Sequence, residues 1–164
     1  MSALAIYPGS FDPPTLGHIG VLARGVRVLG RVRVLVVHNP QKTPLFNSDE
    51  RIELWRLSLA EIGQELSQIS FDKLESGLLV DYCRDNNVSA ILKGFRTAAD
   101  IEYELPMAQV NRDLAGIETV FLASEPGTGF VSSSLVKEVS NLGGDPTRYV
   151  TPTVARALRR KRPA

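Results

Sequence analysis

Tyr7-Pro8-Gly9-Ser10-Phe11-Asp12-Pro13-Pro14-Thr15-Leu16-Gly17-His18 joins a short apolar run to an amphipathic one through two glycines and three prolines, with no aliphatic side chain before Leu16. Glycine and proline impose unusual backbone angles, and Gly17 permits close approach of chain or ligand just before His18. The stretch reads as a built turn between a strand and a helix. Backbone N–H groups and the positive end of a helix dipole favour anions at such a place, so the segment predicts a phosphate site with His18 beside it.

Working outward, Ala3 to Tyr7 reads as a buried strand. The spacing of Ile19, Leu22, Ala23, Val26 and Leu29 predicts a helix closed by Gly30, and the β-branched run Val32 to Val37 predicts a second strand buried on both faces. Strand, helix, strand is a parallel crossover. Asn47 with Glu50 resembles a capping box ahead of a helix whose face is Ile52, Trp55, Leu59 and Ile62. Further expected elements are strands at Ile69 to Phe71, Ala90 to Leu92 and Thr119 to Ala123, with helices at Leu78 to Arg84, Thr97 to Leu114, from Ser132 and from about Thr153. In the long helix Ile101, Leu105, Ala108 and Leu114 mark the apolar side, and Pro106 is expected near its start, at a kink or at a division. This alternation specifies an α/β fold: a Rossmann-like, open, mostly parallel five-stranded sheet with helices on both faces.

Composition narrows the function. The 164 residues fit one domain, 1–164, and 43% hydrophobic with 23% charged residues is the balance of a soluble globular chain. A net charge of +1 gives no global basic footprint, so no nucleic-acid partner is expected and anion binding must be local. The Arg159-Arg160-Lys161-Arg162 cluster reads as a solvated helix end. One cysteine, Cys83, and two histidines, His18 and His38, build neither a disulfide framework nor a structural zinc site, which suits a reducing, cytoplasmic setting. No charged leader precedes Ala3, and no apolar stretch reaches the ~20 residues of a membrane span. Neither export nor a membrane partner is expected.

Ligands of open α/β sheets bind outside the carboxyl ends of the strands, which should bring together Ser10, His18, Lys42, Lys93, Arg96 and Ser132 to Ser134. Hydroxyls, one histidine and cations suit a polyanion better than acyl or hydride transfer. There is no Gly-x-Ser-x-Gly elbow and no Walker lysine loop, and Gly127-x-Gly129 lacks the third glycine of a dinucleotide fingerprint. Asp12 reads as a cap for loop N–H groups, and His38 as structural. Glu104 shares a helix side with Asp100 and Tyr103, which fits an exposed acidic face and a site wall equally.

The opening stretch, with Thr15-Leu16-Gly17-His18, resembles the T-x-G-H signature of the nucleotidyltransferase superfamily, and more closely the bacterial phosphopantetheine adenylyltransferase family. The resemblance runs through Asn39-Pro40 with Lys42, Lys93-Gly94-Phe95-Arg96, Asp100-Ile101-Glu102-Tyr103-Glu104, and Phe130-Val131-Ser132-Ser133-Ser134-Leu135-Val136-Lys137-Glu138-Val139. It implies transfer of the adenylyl group of ATP to 4′-phosphopantetheine, with His18 stabilising the transition state; nearby phosphate would favour its charged, two-donor form. It implies acceptor contacts from Ser10, Lys42, Leu79 and Lys93. ATP contacts are implied for Ser10, Phe11, His18, Gly94, Phe95, Arg96, Glu104, Thr128, Gly129, Phe130, Val131, Ser132, Ser133 and Ser134. Mg2+ would ride mainly on the ATP phosphates rather than in a protein cage. A homohexamer restrained by coenzyme A is also implied.

The chain departs from the pattern in places. Related enzymes often carry arginine where Lys137 stands and an aromatic residue at Thr128, and the segment Gly63 to Gly77 is slightly long. Two alternatives remain beside the main expectation: a sibling acting on glycerol 3-phosphate or nicotinamide mononucleotide, and a non-catalytic nucleotide-binding oligomer. Thr15 speaks against the nicotinamide group, which usually has histidine there.

Overall fold

The computed structural model describes residues 3–162. In chain order these form β1 (Leu4–Gly9), α1 (Leu16–Leu29), β2 (Arg31–Val37), α2 (Ser48–Glu61), β3 (Ile69–Leu74), α3 (Leu79–Asp85), β4 (Val88–Phe95), α4 (Ala98–Ala115), β5 (Glu118–Ala123), a 3-10 turn at Pro126–Thr128, α5 (Ser133–Asn141) and α6 (Pro152–Arg160). All four strand pairs are parallel, in the order β3-β2-β1-β4-β5. The expected five-stranded α/β sheet is present.

The apolar runs make the sheet because both of its faces are covered. On one face Leu22 and Val26 of α1 and Trp55 and Leu59 of α2 pack on Ala5, Tyr7, Val32, Val34 and Val36. On the other, Cys83 of α3 packs with Ile6, Leu35 and Ile91. Each fully buried leucine or isoleucine here contributes about 1.5–3 kcal/mol. A third cluster, including Phe46, Val136, Val154 and Leu158, seats α5 and α6 against α2. The predicted capping box of α2 is made: Asn47 and Glu50 bond reciprocally at 2.8 Å in both directions.

Three expectations shift. β3 runs to Leu74 and β4 to Phe95, past the ends expected at Phe71 and Leu92, because polar residues such as Asp72, Lys73 and Lys93 continue extended backbone at the sheet's rim. α4 is unbroken with Pro106 inside it. None of the four residues expected on the apolar face of α4 is buried: Leu105 and Leu114 are exposed, Ile101 and Ala108 half-buried, and Asn111 is the buried residue of the helix.

Candidate active site

The strand order reverses between β1 and β4, and there the ladder is short. Register pairs join Leu4, Ala5 and Ile6 to Val88, Ala90 and Ile91, with an irregularity after the first pair. Beyond Ile6 and Ile91 no register pairs join the two strands, although β1 continues to Gly9 and β4 to Phe95. A crevice opens at this switch point, as expected for a doubly wound sheet. Gly94 lets α1 approach the gap: a Cβ there would meet Val21 Cγ2 at 2.8 Å. Gly9 makes room in the same way for the Phe11 ring, whose residue adopts a left-handed φ of 46°.

Two clefts share this crevice. A narrow one of about 260 Å3 is bounded by Thr15, Gly17, Arg96, Thr128 and Ser132. A wider one of about 510 Å3 is bounded by Ser10, Phe11, Asn39, Leu79 and Lys93. Tyr7, His18, Gly94, Glu104 and Ser133 border both. A small recess of about 50 Å3 next to the wide cleft is lined by Ser10, Asp12, Lys42, Arg51, Ser134 and Lys137.

The Thr-x-x-His spacing is a capping box in which imidazole replaces the usual carboxylate. Thr15 Oγ1 accepts from the His18 N–H at 3.4 Å, and the Thr15 N–H donates to His18 Nδ1 at 3.1 Å. An Nδ1 that accepts leaves the ring proton on Nε2, so the neutral ring is a donor there. Phe11 packs edge-on against the imidazole, with centroids 5.1 Å apart. Burial, then the Arg96 guanidinium, push the His18 pKa down to about 4. With no phosphate beside it, the half-buried ring is neutral near pH 7, with one donor in place.

Asp12 ties three elements together. Its carboxylate accepts from the Leu45 and Phe46 N–H groups, each at 2.9 Å, and from Lys137 Nζ of α5 at 2.8 Å. The expected capping role is therefore real, though its partners lie on another loop. Beside it, buried Arg51 donates to the Ser10 carbonyl at 2.7 Å and to Ser48 Oγ at 3.0 Å, fixing the loop that carries Ser10 onto α2. Burial lowers the Arg51 pKa and the Asp12 charge opposes that fall.

Most cations of the site arrive already paired. Lys93 lies 3.1 Å from Glu104, Arg96 3.2 Å from Asp100, and Lys137 2.8 Å from Asp12. Burial pushes the Asp100 carboxyl up, but hydrogen bonds from Arg96 and Thr97 outweigh it and hold the pKa below the usual range. Lys42 is exposed and has no ion-pair partner among the described residues. Three of these four cations thus already face a carboxylate, Lys93 and Arg96 on the cleft walls and Lys137 in the recess. Asp12, Asp100 and Glu104 stand apart, each beside a cation, and no group of three metal-ligating side chains occurs among the described residues.

The crevice brings together Ser10, Phe11, His18, Leu79, Lys93, Gly94, Arg96, Glu104, Thr128, Val131, Ser132 and Ser133, with Lys42 and Ser134 in the recess. Phe95, Gly129 and Phe130 do not line it; the exposed Phe130 ring packs edge-on against Tyr149. The serine run divides its tasks. Ser132 Oγ caps α5 by accepting from the Leu135 N–H at 3.1 Å, Ser133 Oγ donates to the Pro13 carbonyl at 2.7 Å, and Ser134 faces the recess. At the first turn of α5 the Ser133 and Ser134 N–H groups have no intrahelical acceptor and suit an anion. Gly17 is not sterically required, since a Cβ there would meet Thr128 at an ordinary 3.7 Å.

Sequence reasoning missed Arg51 and the joint role of Asp12 and Lys137. Arg51 carried no signal, because a charged residue in the first turns of a helix reads as exposed. The His18 capping box was readable from the Thr15 to His18 spacing alone.

The cytidylyltransferase-like family profile matches residues 6–139. The chain is 48% identical over 158 residues to a phosphopantetheine adenylyltransferase of Clavibacter michiganensis subsp. michiganensis, covering 96% of each chain. It is 49% identical over 154 residues to the Kocuria rhizophila enzyme of the same name, covering 94% of this chain and 96% of that one. Among solved structures, Plasmodium falciparum nicotinic acid mononucleotide adenylyltransferase complexed with NaAD superposes with a TM-score of 0.75 over 98% of this chain and 96% of that one. At 15% identity that likeness concerns the fold alone.

Proposed function

Since the chain belongs to the cytidylyltransferase-like family and, within it, to the phosphopantetheine adenylyltransferases, we propose that it transfers the adenylyl group of ATP to 4′-phosphopantetheine. An oxygen of the acceptor's phosphate attacks the α-phosphorus, the bond from that phosphorus to the β-bridging oxygen breaks, and the electron pair leaves with pyrophosphate. Dephospho-coenzyme A is the other product. The attacking group is already an anion and needs no general base, so positioning and charge stabilisation carry the rate.

One observation carries this reading: the two clefts meet at a common wall, and His18 stands in that wall with its Nε2–H as donor. ATP takes the narrow cleft, its triphosphate toward Arg96 and the N-terminus of α5. Phosphopantetheine takes the wide cleft, its arm against Leu79 and its phosphate between Ser10, Lys42 and Lys93. ATP enters as its Mg2+ complex, the ion held mainly by the phosphates, since the nearby carboxylates already face cations. Coenzyme A carries both the arm and the adenylyl group and fits as a feedback ligand of the same clefts.

The chain acts as a homo-oligomer, by resemblance a hexamer. The exposed residues Tyr103, Leu105, Met107, Val110 and Leu114 on α4 support that reading. Cys83, buried and unpaired, suits a reducing, cytoplasmic compartment. Pyrophosphate release with ATP, Mg2+ and each phosphorylated acceptor tests the substrate. Turnover with phosphopantetheine is expected; turnover with glycerol 3-phosphate or nicotinamide mononucleotide in its place would overturn the reading.

A further inference from the structure

Tyr7 stands where β1 and β4 part, and it borders both clefts together with His18 and Gly94. Its residue is only 4% exposed, and its ring is fixed by Phe11 at 5.0 Å and Trp55 at 6.4 Å, both edge-on. These contacts explain an aromatic ring at this position. They do not explain the oxygen, for which phenylalanine would serve as well.

No hydrogen bond of the Tyr7 hydroxyl occurs among the described residues. Nor is the oxygen sealed in the core: among the described residues the sealed, unpartnered side-chain atoms are Trp55 Nε1 and Thr119 Oγ1. A buried residue whose hydroxyl is neither partnered nor sealed opens onto the cavity it borders. That cavity is the junction of the two clefts. A polar group kept in such surroundings without a protein partner is a cost to the fold, one that a ligand acceptor offsets.

We propose that the Tyr7 hydroxyl is a second hydrogen-bond donor to the phosphate at the junction, beside His18 Nε2, and that its donation is felt in turnover rather than in substrate binding. This rests on the adenylyl-transfer reading above. Burial raises the phenol's pKa, so the group stays an O–H donor across the working range. The two donors complement each other. Both are neutral, both are held by packing, and they arise from different elements, β1 and α1, so the phosphate is gripped from two directions. Negative charge grows on its oxygens as the α–β bond lengthens, which is when fixed donors act most strongly.

Tyr7→Phe removes one oxygen and keeps the ring contacts. A hydrogen bond to a charged group predicts that kcat falls about tenfold to a hundredfold. The KM for each substrate should change by less than about threefold, as for an interaction made in the transition state. The melting temperature should hold or rise, since the substitution removes an unpartnered polar atom. A kcat within twofold of the unsubstituted enzyme, a loss confined to KM, or a fall in melting temperature matching the lost activity would each overturn the proposal. The comparison uses whichever phosphorylated acceptor sustains turnover. Failure of phosphopantetheine alone then refutes the substrate, an unaltered kcat in Tyr7→Phe refutes the hydroxyl, and turnover with no acceptor refutes both.

Discussion

The junction of the clefts and their rim solve different problems. At the junction, Glu104 apart, the groups are neutral, and the donor is packed and oriented: an imidazole whose tautomer is set by Thr15, flanked by Phe11. At the rim they are charged and long: Lys93, Arg96 and Lys137 rest on carboxylates, and Lys42 stands exposed on a loop. Flexible cations capture a polyanion over distance, whereas fixed donors discriminate small changes in charge at one atom. The difference predicts that junction substitutions strike turnover and rim substitutions strike binding.

The largest expected effect tests the junction. His18→Ala should lower kcat by about 10²–10³-fold, the usual result of losing a transition-state donor, with a smaller change in ATP affinity. Equal losses in single-turnover rate and in ATP binding would erase the distinction between the regions.

Next comes a stability test of the same imidazole. Because its folded pKa of about 4 lies below the ordinary 6.5, the unfolded chain binds a proton that the native chain does not throughout that window. Stability should therefore fall as pH drops from about 6.5 toward 4 and level off below. The drop from 6.5 to about 4 amounts to about 3 kcal/mol. Urea midpoints of the parent and of His18→Asn, followed from pH 7 to pH 4, isolate this contribution. Parallel curves would mean an imidazole that titrates normally.

At the rim, Lys42→Ala should raise the KM for phosphopantetheine about tenfold, the scale of one charged hydrogen bond, and leave kcat nearly unchanged. A fall in kcat alone would move Lys42 into the junction. The smallest effect concerns Lys93 and Glu104, both partly exposed. A cycle of Lys93→Met, Glu104→Gln and the double variant should give a stability coupling of no more than ~1 kcal/mol, shrinking in salt. A coupling that salt does not alter would place this pair among the fixed groups.

Much of this was legible in the sequence, for reasons that also mark where legibility stops. Val32 to Val37 and Ile19 to Leu29 announce themselves because burial on one face or two imposes a period. Lys93 and Gly94 were read as the end of a strand, yet they continue it, since a strand leaving the core for a crevice loses its apolar signature before its extended backbone. The expected apolar face of α4 misled because periodicity shows that a face is apolar, not what covers it. In the site, residue types such as Ser10, His18 and Lys42 could be gathered from the rule that loops converge at the strands' carboxyl ends. Pairings could not: Asp12 with Lys137, and Arg51 with the Ser10 carbonyl, span distances in sequence that no local pattern encodes.

Sheets usually draw cohesion from the middle, and this one is thinnest there. The seam between β1 and β4 divides it into two leaves, β3-β2-β1 and β4-β5, joined along three register pairs. α1 lies across the seam and touches strands of both leaves, with Val21 seated against Gly94. The helix that presents His18 is thus also the clasp of the sheet. Any relative motion of the leaves must pass through the element that aims the imidazole, so mechanical integrity and chemical alignment reside in the same helix.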